Sequence, residues 1–329
     1  MNYEEIFVFL GALTFDILLG EPHIKIHPVY ITGKILEKIE KIATDKKNMR
    51  QKREDSWNKI FEVIFGAFLI VAGILVYLSL YMVSKKLAQK IGESSGIKAF
   101  EIFVDIFFLK TTFAIKSLKD HAQDVLNSLK KNDIKEAREN TSKIVSRNTK
   151  ELEKPHIISA TIESVSENLV DSIIAPLFFF SLAGIKGAII YRVINTLDAM
   201  VGYKNEKYKY IGFIPAKIDD ILNFIPARIS ALVIIFSAIL KGYDWKSGAE
   251  NLKKFKKATP SPNSWIPITL FGGILKIKLE KIGYYSIGEF ELPQSEEKIE
   301  EAIKLMMTSS LVFVFFFVVP ILLLLESIK

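Results

Sequence analysis

The chain has 329 residues, half of them hydrophobic, with 24 phenylalanines, no cysteine and a formal net charge of +7. The missing cysteine excludes disulfides, thiolate metal sites and a cysteine nucleophile. The positive charge comes without any aromatic-basic RNA motif, and an anionic membrane face accounts for it with no nucleic-acid partner.

The length fits two soluble domains or one polytopic membrane domain, and apolar windows near the roughly 20 residues that cross a hydrocarbon core favour the second. The expected fold is therefore all-α: a polytopic helical membrane protein with charged cytoplasmic loops, one membrane-embedded domain over 1–329. Met1 to Glu5 lack the basic region of a cleavable signal, so the first apolar segment is expected to stay. That first span is predicted at 3–20, with Asp16 near its end, and a carboxylate in an apolar segment is by default a functional candidate. Glu21, His23 and His27 follow between Pro22 and Pro28, which forbid a helix through this exit and spoil the spacing of a histidine metal pair.

A basic amphipathic connection over 34–59 leads to the clearest span, 60–83, stopped by Lys85 and Lys86. Residues 100–118 are apolar but hold Asp105, Lys110 and Lys116, as in an interfacial helix or a span packed inside a bundle. From Lys119 to Lys154 the pattern is charged and helical, with Asn132-Asp133 as turn and cap, ending in a polar turn around Arg147. A broken hairpin is expected at 169–194, where Pro176 and Gly184 to Gly187 interrupt the apolar run. Residues 229–240 are short for a span and read as buried or re-entrant. Ser261, Asn263 and Ser264 form a proline-flanked turn rich in hydrogen-bonding groups. The last span is predicted at 308–325, kinked at Pro320. Lysine and arginine concentrate in 21–59 and 119–168, which puts those loops in the cytoplasm and the N-terminus outside.

Polar groups gather between Glu163 and Arg228. On a helix Glu163, Glu167 and Asp171 stack at i, i+4, i+8, and such a stripe needs a cation: Mg²⁺, an amine substrate or an arginine. Tyr191, Asn195 and Asp198 share a second face flanked by Arg192, and Asp219, Asp220 and Asn223 make a third set. Helix caps and solvated charges at span ends are the plain alternative, but polar groups this dense beside apolar runs argue for a site. No serine elbow, P-loop, dinucleotide fingerprint or zinc motif is present. Carboxylates and amides that bind Mg²⁺, with arginines that bind phosphate, suit nucleotide-assisted or phosphoryl-transfer chemistry. A Mg²⁺-dependent membrane prenyltransferase, for which Asp219-Asp220-Ile221-Leu222-Asn223 is a faint pointer, and a transport or scaffold role stay open on these residues alone.

Several longer motifs occur in order: DILLGEPHIKIHPV from Asp16, SRNT from Ser146, ESVSENLVDSIIAPLF from Glu163, YRVINTLDAMVGYKNEKY from Tyr191, KIDDILNFIPAR from Lys217 and SPNS from Ser261. Through them the chain resembles the adenosylcobinamide-phosphate synthase family of cobalamin biosynthesis, which are integral membrane proteins. It departs at Glu21, where aspartate is usual, and at Ser146 and Asn148, where glycine and aspartate are common. Lys204 and Lys217 stand for arginine, and Trp265 for the glycine after SPNS. The resemblance implies that ATP drives amide formation between a carboxylate of adenosylcobyric acid and 1-aminopropan-2-ol phosphate, or the free amino alcohol. ATP and Mg²⁺ are then expected, and the corrinoid is a substrate rather than a bound cofactor.

On that implied reaction the catalytic candidates are Asp16 or Glu21 as general base, with Glu163 and Glu167 holding Mg²⁺ or the substrate ammonium. Asp171, Asp198, Asp219, Asp220 and Asn223 are the metal candidates. Arg147, Arg192 and Arg228 would hold phosphate, with Asn195, Ser261 and Asn263 as further substrate contacts. His121 and His156 are given structural roles. Partners are the two substrates and the lipid bilayer, with other membrane enzymes of cobalamin assembly and a second copy of the chain as further candidates.

Overall fold

The computed structural model describes residues 4–48, 56–203 and 205–328; Tyr3, Lys204 and residues 49–55 of the basic connection lie outside them. The protein is a polytopic helical membrane protein. Three helical runs are long and apolar enough to cross a membrane, Lys59–Ser94, Lys154–Val201 and Glu297–Leu325, and Phe213–Leu222 with Phe224–Leu240 make a fourth if that bent pair counts as one. The chain divides into two compact units, the described parts of 1–113, 176–222 and 325–329, and residues 114–175 with 223–324.

In the first unit, α1 (Glu4–Leu19) packs on α4 (Ala99–Lys110), α4 on α3 (Ser56–Ser95), and α3 on both α2 (Pro28–Asn48) and α9 (Phe213–Leu222). The core joins Leu36 of α2, Leu69 and Tyr77 of α3, Phe108 of α4, and Ile189, Val193 and Leu197 of α8 (Ala175–Val201). Close contact needs a missing side chain: a Cβ on Gly66 would lie 2.1 Å from the Ile211 carbonyl oxygen. α1 has 16 residues, short of the length that crosses a bilayer upright, and α3 extends well past the expected 60–83.

Residues 100–118 are not one helix. The Thr111 and Thr112 hydroxyls donate to the Phe108 and Leu109 carbonyls at 2.8 and 2.6 Å, α4 ends at Lys110, and α5 (Ile115–Lys130) begins after a turn. Two of the charges that made this stretch ambiguous, Asp105 and Lys110, point inward and are paired, as burial of an ion requires. Asp105 accepts from the Tyr81 hydroxyl and from Lys85 Nζ, each at 2.7 Å.

Within α8 the chain reverses. Ala183 (φ −135°, ψ 17°) and Gly184 (φ 62°, ψ −161°) leave helical geometry. The rings of Phe179 and Tyr191 stack with centroids 5.3 Å apart, whereas an unbroken helix rising about 1.5 Å per residue would part them by roughly 18 Å. Pro176 and the glycines interrupt the run in the way a hairpin needs, and Gly184 supplies a backbone region that side chains with a Cβ avoid.

The second unit holds α5, α6 (Ile134–Ser142), α7 (Lys154–Leu169), α10 (Phe224–Leu240), α11 (Trp245–Lys254), α12 (Trp265–Ile274) and α13 (Glu297–Phe313). α7 is buried along its whole length from Ile157 to Ser166, against α13, α12 and a small hairpin. Asn132 (φ 58°) makes the turn before α6, and the Asp133 carboxylate caps it by accepting from Glu136 N at 2.8 Å. The hairpin, β1 (Leu279–Lys281) and β2 (Tyr285–Ile287), pairs Glu280 with Ser286 and Lys281 with Tyr285. α10 starts at Phe224, ahead of the expected 229, and the last run begins at Glu297 rather than 308 because Ile299, Ile303 and Met306 continue its buried face.

Two prolines set local helix form. Pro176 has no N–H for the Ser172 carbonyl, so a π turn spans Val170–Ile174 and the Ala114 N–H donates to that oxygen at 3.0 Å. A second π turn, Val314–Val318, precedes Pro320 of α14 (Val319–Ile328), where the sequence indicates a kink.

Nothing lies within 4 Å of a Cβ built on Gly184, so the penalty of a side chain there is backbone strain alone. Gly184→Ala is expected to destabilise the protein by about 1–3 kcal/mol, read as a lowered unfolding midpoint in detergent; an unchanged midpoint would mean the reversal does not need this conformation.

Candidate functional site

Charged side chains cluster at two places in each unit. In the first unit Lys110 is fully buried, and its Nζ lies 3.0 Å from Asp16 Oδ1 and 2.9 Å from Glu21 Oε1; it also donates to the Phe113 carbonyl at 3.1 Å. The other oxygen of Glu21 meets His27 Nε2 at 2.9 Å. Burial works against the Glu21 carboxylate, but His27 and Lys110 outweigh it and hold the carboxyl below its ordinary 4.5. A carboxylate held by an ammonium is a weaker base than a free one, and Glu21 is held in this way. The arrangement ties α1 and the chain after it to α4. His23 caps the following turn by accepting from Lys25 N at 3.3 Å.

The second place lies on α8 and α9. Asp198 has Asp219 and Asp220 as its charged neighbours, and Asp219, 9% exposed, accepts from the Asn195 amide at 3.3 Å. Gly202 makes room for the Asp198 carboxylate, since a Cβ there would lie 2.1 Å from Asp198 Oδ1. Arg192, one turn before Asn195, reaches Asn195 Oδ1 at 3.4 Å, and its Nε is buried without a hydrogen-bond partner.

In the second unit the acids of α7 meet cations of the protein itself. Glu163, 2% exposed, is ion-paired with Arg147 from the polar turn after α6, and Arg147 also donates to the Glu280 carbonyl at 3.2 Å. Glu167 is partly exposed and neighbours Glu163, Lys281, Arg147 and Ser264. The hairpin brings in Tyr285, whose hydroxyl faces both glutamates; burial, and then the charges of Glu163 and Glu167, keep this phenol protonated well above the ordinary tyrosine range. Glu280 N donates to Ser159 Oγ at 2.8 Å, and its carboxylate meets His156 Nε2 at 3.1 Å. Asp171 falls in the π turn that begins at Val170.

The fourth place is Arg228, which stacks 3.6 Å over the Phe224 ring and donates to Asn263 Oδ1 at 2.7 Å. Ser261 Oγ accepts from Asn263 N at 3.2 Å, closing the turn. Asn223 is buried at the break between α9 and α10, its carbonyl accepting from Ala227 N at 3.0 Å. Asp198, Asp219 and Asp220 thus share one unit, and Glu163, Glu167, Asp171 and Asn223 belong to the other.

Among the described residues no three histidine, aspartate or glutamate side chains converge as a metal site. Mg²⁺ is commonly held by one or two carboxylates together with substrate phosphates and water, and the hard oxygen donors of Asp198 and Asp219, in the space that Gly202 leaves open, fit that need. The α7 acids fit it less well, because Arg147 already occupies Glu163.

Sequence reasoning missed Lys110, Lys281 and Tyr285. A lysine inside an apolar segment was the available signal for the first. For the others it was the alternation around Gly283 in Lys278-Leu279-Glu280-Lys281-Ile282-Gly283-Tyr284-Tyr285-Ser286-Ile287, a short hairpin pattern.

Fold and site together define a helical membrane protein that carries carboxylate–cation clusters in both of its units. Residues 9–309 match the CobD/Cbib protein family. The chain is 40% identical over 307 residues to the probable cobalamin biosynthesis protein CobD of Methanococcus maripaludis, covering 93% of this chain and 95% of that one. It is 37% identical over 293 residues to the protein of that name from Pyrococcus furiosus, covering 89% and 90%, and 37% over 290 residues to that of Methanocaldococcus jannaschii, covering 86% and 88%. The chain belongs to the CobD/Cbib family. No solved structure matches it.

Lys110→Met leaves Asp16 buried without its cation and is expected to cost about 3–5 kcal/mol, measured by thermal unfolding. Glu21 has a lowered folded-state pKa, so its contribution is complete above 4.5 and fades as pH falls below that value. The unfolding midpoints of wild type and Glu21→Gln should differ at pH 7 and converge under acid conditions; a gap that persists in acid would contradict the pairing.

Proposed function

We propose that the protein acts in cobalamin biosynthesis as an ATP-dependent amide ligase, joining adenosylcobyric acid to 1-aminopropan-2-ol phosphate to give adenosylcobinamide phosphate, or to the free amino alcohol to give adenosylcobinamide. The observation that carries this is the family match over 9–309, which contains every motif that holds the four clusters. A carboxylate is a poor electrophile, so the carboxyl oxygen first attacks the γ-phosphorus of ATP, giving an acyl phosphate and ADP. The amine then attacks the acyl carbon, and inorganic phosphate leaves with the C–O bond electrons. A proton must come off the amine on the way.

Each role follows from what surrounds a residue within its own unit. Of the three arginines considered for phosphate, Arg147 is taken by Glu163 and Arg228 by Asn263, whereas Arg192 keeps a free donor. Arg192 is therefore the phosphate ligand. Asp198 with Asp219 would hold Mg²⁺, which when bound supplies positive charge to the nucleotide phosphates. Glu167 is the α7 acid that remains accessible, so it holds the substrate ammonium and accepts its proton. Glu163, Arg147, Lys281 and Tyr285 position Glu167. The reacting loops face the cytoplasm in this reading, which the lysine- and arginine-rich stretches support.

The test is turnover by purified protein of adenosylcobyric acid, aminopropanol phosphate and ATP, followed by mass spectrometry. Adenosylcobinamide phosphate and ADP are expected from wild type, and a product loss of about 100-fold or more from Glu167→Gln and from Asp198→Asn. No product from wild type ends the ligase assignment, and normal turnover in either variant ends that residue's role.

A further inference from the structure

In the first unit a small cavity lies between α2, α3 and α8, walled by Val29, Thr32, Leu36, Tyr77, Arg192 and Thr196 among others. Its volume is about 10 Å³, room for one water-sized group. Two polar atoms on this wall are buried and have no hydrogen-bond partner, Arg192 Nε and Thr32 Oγ1, and Thr32 is only 3% exposed. The remaining polar wall atoms are engaged. The Tyr77 hydroxyl shares a 2.7 Å hydrogen bond with Thr111 Oγ1, and Thr196 Oγ1 donates to the Arg192 carbonyl at 2.7 Å.

Both unused groups are donors, the Nε–H of a permanently charged guanidinium and a hydroxyl that turns to suit its partner. A buried donor left unmet carries its full desolvation cost. Arg192 has an asparagine oxygen at 3.4 Å as its hydrogen-bond partner and no carboxylate partner among the described residues, in contrast to Arg147. Its charge is thus not neutralised by the protein. Two donors and an uncompensated cation around a space for one atom call for one anionic oxygen.

We propose that this cavity is a socket for a single terminal oxygen of a phosphoryl group, with Thr32 of α2 as a specificity-determining residue beside Arg192. The inference rests on the phosphate role given to Arg192 above and adds the residue and the size limit that select the group. A phosphate oxygen with nothing attached enters, and a bulkier substituent at that oxygen is excluded. The phosphoryl group comes from ATP or from the amino-alcohol phosphate, and these share the chemistry.

Binding of radiolabelled inorganic phosphate to the full chain in detergent tests this, with ATP and aminopropanol phosphate as competitors to separate the two sources. Thr32→Val should weaken phosphate binding about tenfold, Thr32→Ser should retain it, and Arg192→Lys, which keeps the charge but lacks Nε–H, should weaken it likewise. Wild-type affinity in a folded Thr32→Val, or in Arg192→Lys should the valine variant not fold, overturns the socket and leaves the cavity to an ordered water. Absence of phosphate binding to wild type overturns it too. Phosphate binding that depends on Thr32 in a protein that makes no adenosylcobinamide phosphate upholds the socket and removes the ligase assignment; ligation with phosphate binding indifferent to Thr32 does the reverse.

Discussion

A charge inside an apolar helix has to meet its opposite, and much of this molecule follows from how it does so. Taking an ion from water costs several kcal/mol unless a partner repays it. Lys110 is fully buried between Asp16 and Glu21, Asp105 lies between Tyr81 and Lys85, and Glu163 lies against Arg147. Each contact links segments distant in sequence, so the pairing that makes burial tolerable also fixes which helices are neighbours. Lys110 binds the start of the chain to α4, and Arg147 binds the turn after α6 to α7.

The backbone obeys the same rule with carbonyls in place of charges. Proline in an apolar helix strands an acceptor where water is scarce. At Pro176 the stranded Ser172 oxygen is taken by the Ala114 N–H, and the helix absorbs the change as a π turn. At Pro320 a π turn stands just ahead of the ring in the same way.

The sequence made some of this legible and hid the rest for physical reasons. Composition marks the apolar part of α3, and Pro176 with Gly184 marks the interruption of α8, because both are local properties. The end of α4 was hidden: Asp105 and Lys110 suit an interfacial helix as well as a span packed inside a bundle, and their partners Tyr81, Lys85, Asp16 and Glu21 lie on other elements. The β1–β2 hairpin was hidden by its brevity and its charges. At the site, the need for a cation beside Glu163 and Glu167 was visible, with arginine among the candidates. Which arginine was not, since the partner arrives from another element, and the same holds for Lys281 and Tyr285. Asp16 and Glu21 looked like free acids because their lysine is far along the chain.

The two acidic groups differ in what neutralises them, and that difference carries the chemical reading. Around Glu163 and Glu167 stand Arg147 and Lys281, with the Tyr285 hydroxyl facing both glutamates, so cations of the protein itself already stand beside these acids. Around Asp198 stand the carboxylates of Asp219 and Asp220, and the Asn195 amide donates to Asp219. A group already balanced gains little from a metal ion and serves better to fix one carboxylate, Glu167, in place. Hard carboxylate oxygens set side by side suit a Mg²⁺ ion carried in with phosphates, which is the role proposed for Asp198 and Asp219. Arg192 stands one turn from Asn195 with its Nε–H still unused, so the carboxylates of α8 and α9 and a spare cationic donor belong to the same unit. That pairing of oxygen donors with a spare N–H is what the proposed metal and phosphate roles rest on.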